Sequence, residues 1–148
     1  MTNSKTKAAA ARIQYAALPY RVSAAFGTEV LLVTSRETKR WIIPKGWPKK
    51  HKEPWDSAAR EATEEAGVVG KVGREPIGSY LYEKRLRSGN GVVCEVQVFP
   101  LKVKRQQKNW REKGQRACAW FSPAEAAKAV GEPVLGAIIR RLLKRIIT

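Results

Sequence analysis

A segment rich in alanine and glutamate, bounded by residues that delimit helices, constrains the fold of this chain most strongly. Pro54 stands where a first helical turn tolerates proline, and Gly67 stands where glycine commonly ends a helix. The residues between them, Trp55 to Ala66, are therefore predicted to form one well-defined helix. Because strand-like segments lie on both sides of this helix, the pattern favours an α/β architecture.

Alternating or continuous apolar residues predict β-strands in six other segments of the chain. These segments are residues 21–26, 30–34, 41–43, 72–86, 92–104 and 117–121. The first two are predicted to flank a break at 27–29, and the turn-forming residues 88–91 are predicted to join the two long segments as a hairpin.

Two further helices are predicted near the end of the sequence. Ser122 and Glu125 form a capping box with proline in the first turn, which opens a short helix to Val130. The last helix, residues 133–147, carries an apolar stripe formed by Leu135, Ile138, Ile139, Leu142 and Ile146. The stripe either covers a sheet face or lies on a membrane surface, and the first interpretation is preferred. Helices able to cover both faces of the sheet predict an α/β/α sandwich with a mixed β-sheet.

Length and charge predict one domain with a polyanionic partner. The 148 residues, 43% of them apolar, suit a single domain at residues 13–148 after a disordered basic tail at 1–12. No apolar run resembles a membrane span or a signal peptide, which predicts a cytoplasmic protein with no membrane association. The net charge of +16 indicates attraction to nucleic acid, anionic lipid or a phosphate-rich small molecule. The oligomeric state is left open.

Three carboxylates are predicted to crowd onto one face of the first helix. Glu61, Glu64 and Glu65 stand at positions i, i+3 and i+4, where like charges repel one another. A solvated acidic face is one interpretation of such a group. The alternative is a divalent cation among the carboxylates, and Mg2+, with Mn2+ as a possible substitute, suits carboxylate oxygens.

The sequence around these glutamates resembles the Nudix box, G-x5-E-x7-R-E-U-x-E-E-x-G-U, in which U is aliphatic. The matching residues are Gly46, Arg60, Glu61, Glu64, Glu65, Gly67 and Val68. Lys52 occupies the place of the first box glutamate, with Glu53 one position late, and Ala62 is smaller than the family pattern asks. On this match the chain is identified as a member of the Nudix hydrolase family.

The resemblance covers roughly residues 18–145 and extends to one branch of the family. The runs 29–36, 41–46 and 119–121 are similar to those of diphosphoinositol polyphosphate phosphohydrolases and their bacterial relatives. The resemblance implies a Nudix-type fold and Mg2+-dependent hydrolysis of a phosphate–phosphate bond. It implies that Glu61 and Glu65 bind metal and that Glu64 binds metal or acts as the catalytic base.

Other roles also follow from the resemblance or from position in the sequence. The backbone carbonyl of Lys45 is the implied further metal ligand, and Gly46, Arg60 and Gly67 are implied to be structural. Arg60 is expected to orient the loop and the helix by charged hydrogen bonds. Glu95 is either a metal ligand or a strand-face residue. The cations predicted to bind substrate phosphates are Arg21, Arg36, Arg40 and Lys45.

Three functions remain open for such a chain. The first is hydrolysis of a diphosphoinositol polyphosphate or a dinucleoside polyphosphate, which the charge of +16 favours. The second is removal of 5′ pyrophosphate from RNA. The third is a weakly catalytic module that binds RNA or another polyanion, which Lys52 favours and the intact glutamate trio disfavours.

Overall fold

The computed structural model of the chain describes residues 11–147, and most of the predicted basic tail lies outside that range. Within it the elements are β1 (Arg12–Ser23), β2 (Gly27–Thr34), β3 (Trp41–Ile42), β4 (Lys45–Gly46), α1 (Pro54–Ala66), β5 (Val68–Val72), β6 (Gly78–Arg85), β7 (Gly91–Gln106), β8 (Cys118–Phe121), α2 (Pro123–Ala129) and α3 (Pro133–Ile147). None of these helices is long and apolar enough to cross a lipid bilayer.

All the strands belong to one mixed sheet. The main path runs β3-β2-β1-β7-β5, with β4 on β1, β6 on β7 and β8 on β2. Strands β1 and β7 pair in parallel, from Arg12 opposite Cys94 to Tyr20 opposite Lys102, and the other pairs are antiparallel. The prediction of a mixed sheet is therefore confirmed.

Helices cover both faces of this sheet. Residues of β1 alternate between two buried clusters, so that Ala16 and Leu18 face one side and Ala17 faces the other. Helix α1 packs on the second side through its buried alanines, and α2 and α3 pack on the first. The predicted three-layer α/β/α sandwich is confirmed, and the small Ala62 belongs to the face that α1 buries.

Helix α1 ends where the sequence predicted, and the reason is steric as well as conformational. Gly67 adopts φ +73° and donates its backbone N–H to the carbonyl of Thr63. A Cβ at this position would lie 2.2 Å from a ring carbon of Trp110. Both the left-handed backbone and the close indole ring therefore require glycine.

The first predicted strand was wrong in its bounds. Strand β1 begins at Arg12, inside the predicted tail, and the chain turns at residues 24–26 rather than 27–29. Its pairing with β7 is non-local, so no local pattern indicates how far it extends. The predicted strand at 72–86 is also two strands, because β5 and β6 pair with successive lengths of the same edge of β7.

Candidate active site

Helix α1 presents its three glutamates in two different environments. Glu61 and Glu65 lie one turn apart and are buried, at 7% and 4% exposed, with their carboxyl groups within hydrogen-bonding reach of each other. Glu64 instead pairs with Arg60 at 2.9 Å and with Arg111 at 3.9 Å. Within residues 11–147 no three acidic, histidine or cysteine side chains converge as a metal site. The structure thus brings Glu61 and Glu65 together and leaves Glu64 apart.

Cations from two other segments lie against the buried pair. The Lys49 ammonium is 2.6 Å from Glu61 Oε2, and Arg116 Nε is 3.8 Å from Glu65 Oε1. Arg116 is itself fixed by Glu112 at 2.8 Å and by the carbonyl of Thr34 at 3.0 Å. Two positive charges therefore lie beside the two buried carboxyl groups.

One carboxylate oxygen of this pair lacks a hydrogen-bond donor. Glu65 Oε1 is buried, and among the described residues it has no hydrogen-bond partner, since Arg116 is at ion-pair distance only. Burial raises the pKa of Glu65 to about 9, and Arg116 opposes that shift. A buried oxygen without a donor is costly. Two adjacent carboxylates, one with an unsatisfied oxygen, fit a hard divalent cation such as Mg2+.

The loop before α1 approaches Glu61 through a glycine. A Cβ on Gly46 would lie 2.3 Å from Glu61 Oε2, so the Lys45–Gly46 backbone of β4 lies directly against that carboxylate. This position suits the carbonyl ligand expected of Lys45. The loop is tied to the helix by Ser57, whose hydroxyl accepts from the backbone N–H of Lys49 at 3.1 Å.

The structure gives the loop-orienting role predicted for Arg60 to other residues. Arg60 donates to Glu64 within its own helix, and its side chain is 54% exposed. Ser57 and Lys49 make the contacts between loop and helix instead. The prediction failed because a motif position does not show which way an exposed arginine turns.

Replacing Gly46 by alanine is expected to reduce activity strongly with little change in stability. The three atoms nearest to the new methyl group all belong to the carboxyl end of Glu61, the far end of a flexible side chain, which must shift. Its displacement removes one of the two buried carboxylates from the site. Enzyme assays beside urea denaturation test this result, and a large loss of stability with normal specific activity would contradict it.

A cleft of about 440 Å³ opens beside Glu65. Its cationic lining consists of Arg36, Arg40, Lys45, Lys84, Arg85 and Arg116. One apolar wall is formed by Trp41, Ile42, Tyr80, Val130 and Leu135. Three of the four cations predicted to bind substrate therefore line this cleft, next to a buried carboxylate.

Lys45 lies against the ring of Tyr82, which also lines this cleft. Its ammonium is 4.8 Å from the centre of the Tyr82 ring. Burial lowers the pKa of Lys45 to about 8, and the nearby Glu65 opposes the shift. Tyr82 in turn donates its hydroxyl to Gln14 Oε1 at 2.7 Å. Lys45 therefore lies against the Tyr82 ring, and the buried amide of Gln14 fixes that ring.

Arg21 does not reach the cleft, contrary to prediction. Its guanidinium pairs with Glu29 at 2.9 Å and lies 3.9 Å over the ring of Trp120. It is seven residues along β1 from Gln14, a cleft residue, which corresponds to roughly 23 Å along an extended strand. Alternation along the strand also turns its side chain toward the α1 side of the sheet, with Ala17.

Arg116 is the main site residue that the sequence did not indicate. It reaches Glu65 because β8 pairs antiparallel with β2, and no motif marks that pairing.

Two residues near the first glutamate position of the motif lie outside the cleft. Glu53 is an exposed N-cap residue, and Lys52 lines a separate groove of about 220 Å³ with Asp56 and Arg60. Neither Lys52 nor Glu53 lines the cleft beside Glu65, and Glu95 is likewise absent from its lining.

Comparison with known proteins agrees with this fold and shows the family. The NUDIX domain model matches residues 18–142. The chain is 33% identical over 118 residues to Nudix hydrolase 18, mitochondrial, of Arabidopsis thaliana, covering 76% of this chain and 65% of that protein. It is 34% identical over 119 residues to diphosphoinositol polyphosphate phosphohydrolase 2 of Rattus norvegicus, covering 77% of this chain and 62% of that protein. The chain belongs to the Nudix family.

Solved structures show the same fold at low sequence identity. A C. elegans Ap4A hydrolase in a binary complex has a TM-score of 0.67 at 18% identity, over 92% of this chain and 98% of that one. The NUDIX domain of Shewanella oneidensis NrtR, complexed with ADP ribose, has a TM-score of 0.67 at 16% identity, over 99% of both chains. Against eight curated relatives, the chain spans between 45% and 65% of their length.

Proposed function

We propose that this chain is a divalent-cation-dependent hydrolase that splits a phosphate–phosphate anhydride bond in a highly anionic substrate. The observation that carries the proposal is the buried Glu61–Glu65 pair, with its unsatisfied oxygen, beside a cleft lined by six cations. A site that only bound polyanions would gain nothing from two buried carboxylates. The names of the curated relatives, which are Nudix hydrolases and diphosphoinositol polyphosphate phosphohydrolases, support the same reaction class.

The residues that would hold Mg2+, or Mn2+ in its place, are Glu61, Glu65, the backbone carbonyl of Lys45 and, after a change of side-chain rotamer, Glu64. When bound, the cation supplies charge neutralisation at the phosphate oxygens and lowers the pKa of the attacking water. Glu64 must leave Arg60 and Arg111 to join this group, whereas Glu65 already lines the cleft. The three glutamates are therefore expected to contribute unequally.

The chain's own residues supply the remaining parts of the reaction. Arg36, Arg40 and Arg85 line the cleft and would bind phosphate oxygens of the substrate, since arginine binds phosphate through two parallel hydrogen bonds. A glutamate carboxylate accepts the proton from water as the oxygen–phosphorus bond forms and the bridging phosphorus–oxygen bond breaks. Glu64 is the base implied by the family resemblance, and Glu65 is the carboxylate that lines the cleft.

The proposed substrates are diphosphoinositol polyphosphates or dinucleoside polyphosphates. The six cations outnumber the four glutamates of the cleft, Glu37, Glu65, Glu83 and Glu132. An excess of positive charge suits several consecutive or clustered phosphates better than a single diphosphate. Removal of 5′ pyrophosphate from RNA is the second candidate, favoured by the net charge of +16. The predicted cytoplasmic location remains a proposal, since similar proteins include ones named mitochondrial and chloroplastic.

The proposal is tested by phosphate and nucleotide release from a substrate panel, with Mg2+ and with excess chelator. The panel contains diadenosine hexaphosphate, a diphosphoinositol polyphosphate, nucleoside triphosphates and 5′-triphosphate RNA. We expect turnover of at least one highly charged substrate and its loss in chelator, with activity restored by adding back Mg2+. If no substrate turns over while RNA binds tightly and salt-sensitively, the chain is a binding module instead.

A further inference from the structure

A second basic surface lies at the opposite end of the sheet from the cleft. It consists of Lys71 on β5 and of Lys102, Lys104 and Arg105 on β7, and we call it the basic end. Lys71 is directly opposite Lys102 in the antiparallel ladder, and Arg105 is opposite Val69 across a register shift. Directly opposed residues point to one face of a sheet, and like charges in that arrangement are unfavourable. All four side chains are exposed.

Nothing in the chain neutralises the basic end. Within residues 11–147 none of its four cations makes an ion pair with an aspartate or glutamate. The sequence outside that range contains no acidic side chain either. Four uncompensated cations, two of them directly opposed across strands, are an arrangement that an anionic partner would stabilise.

Two exposed apolar side chains lie near these cations, on the β1–β2 hairpin. The half-buried Tyr20 packs against the core directly beside Lys102 in the parallel ladder, and Val22, two residues on, is 53% exposed. At the hairpin tip Phe26 is 76% exposed, and its backbone N–H donates to Ser23 Oγ at 3.0 Å. The tip thus presents an aromatic ring to solvent from an ordered turn.

The basic end is distinct from the substrate cleft. Tyr82, which lines the cleft, is opposite Cys94 on β7, and Lys102 lies eight residues further along the same strand. Eight residues of extended strand span roughly 26 Å. None of the four cations lines the cleft beside Glu65, so the basic end is a separate surface from the site of the proposed reaction.

We propose that the basic end binds a single-stranded nucleic acid. Cations that contact the phosphate backbone, beside aromatic rings that stack on bases, are the combination such strands require. The cations lie along strands β5 and β7, whereas Phe26 lies at the tip of the β1–β2 hairpin. A flexible strand can follow the face and bend round the tip, while a planar membrane cannot contact both fully. The surface therefore fits RNA better than anionic lipid.

The test measures binding of a fluorescent single-stranded RNA with a 5′-hydroxyl, longer than the roughly 4–16 nucleotides that a small domain covers. Such RNA contains no anhydride bond, so binding is independent of the proposed hydrolysis. In the full chain, K71Q, K102Q, K104Q and R105Q together are expected to raise Kd about tenfold or more. The slope of log Kd against log salt should fall by up to about 2.8, since each single-strand phosphate contact contributes about 0.7.

Two controls make the result specific. A matched variant with four exposed cations neutralised away from β5 and the end of β7 (K50Q, R87Q, K128Q, R140Q) has the same net charge and should bind as the parent does. F26A should raise Kd about fivefold or more without changing the salt slope, because stacking displaces no counterion. Circular dichroism checks that each variant is folded.

Two results would overturn the proposal. If the matched variant loses as much RNA affinity as the basic-end variant, binding follows net charge and not this surface. If the basic-end variant loses affinity for phosphatidylserine vesicles while its RNA affinity is unchanged, the surface serves a lipid instead. Hydrolysis of a short substrate by the basic-end variant reports separately on the active site.

Discussion

Glu65→Gln is expected to lower Mg2+-supported turnover by about 100-fold or more, since the cation's charge stabilisation is worth several kcal/mol. The same substitution is expected to stabilise the protein in chelator at neutral pH by about 1 kcal/mol or more. Burial raises the pKa of Glu65 to about 9, so folding must protonate this carboxyl group, and a neutral amide avoids that cost. Lower turnover together with higher stability is characteristic of a carboxylate whose role is to bind a metal ion. Steady-state kinetics and urea denaturation in chelator measure the two effects.

Glu64→Gln is the matched control, because it changes a neighbouring glutamate of the same motif. Glu64 is held by Arg60 and Arg111, so its replacement should not stabilise the protein. If Glu64→Gln abolishes turnover at saturating Mg2+ while Glu65→Gln is rescued by more Mg2+, Glu64 is the base and Glu65 a ligand. Loss of stability in Glu65→Gln with unchanged turnover would refute the assignment of Glu65.

Gly67→Ala is expected to destabilise the protein by about 2–4 kcal/mol through backbone strain and overpacking. Its backbone is left-handed, and the new methyl group would lie 2.2 Å from the ring of Trp110. The ring is not the end of a flexible chain, so either the loop that carries it or the end of α1 must move. Equilibrium urea unfolding measures the change.

Gly131→Ala separates the two causes. Gly131 has a similar φ of +66°, and a Cβ there meets nothing within 4 Å. It should therefore show only the conformational part of the cost, about 1–2 kcal/mol. Equal destabilisation of the two variants would show that contact with Trp110 contributes nothing to the requirement for glycine at position 67.

Local signals in the sequence were enough to place helix α1 and its buried glutamates. Pro54 and Gly67 define the ends of the helix by their own backbone preferences, whatever the rest of the chain does. Glu61 and Glu65 lie on one face because a helix turn brings them there. What the motif did not show is that Glu64, at i+3, turns to a different set of partners.

Several features that sequence reasoning missed depend on pairing between distant segments. The length of β1 follows from its parallel pairing with β7, and the role of Arg116 follows from pairing of β8 with β2. The prediction for Arg21 rests on the expectation that its strand leads the side chain toward the glutamate motif. Its actual direction depends on the alternation of β1, and that alternation is fixed only when the sheet forms.

The segment between β7 and β8 has a consequence for the order in which the site is completed. Glu112 donates its backbone N–H to the carbonyl of Glu64, Gln107 does the same to Gly67, and Arg116 reaches back to Thr34 across 82 positions. During synthesis the residues of α1 are made before Gln107, Glu112 and Arg116. Contacts between distant positions form slowly, so we expect Arg116 to reach Glu65 late in folding. A chain that ends before residue 116 contains the glutamate motif but lacks this arginine.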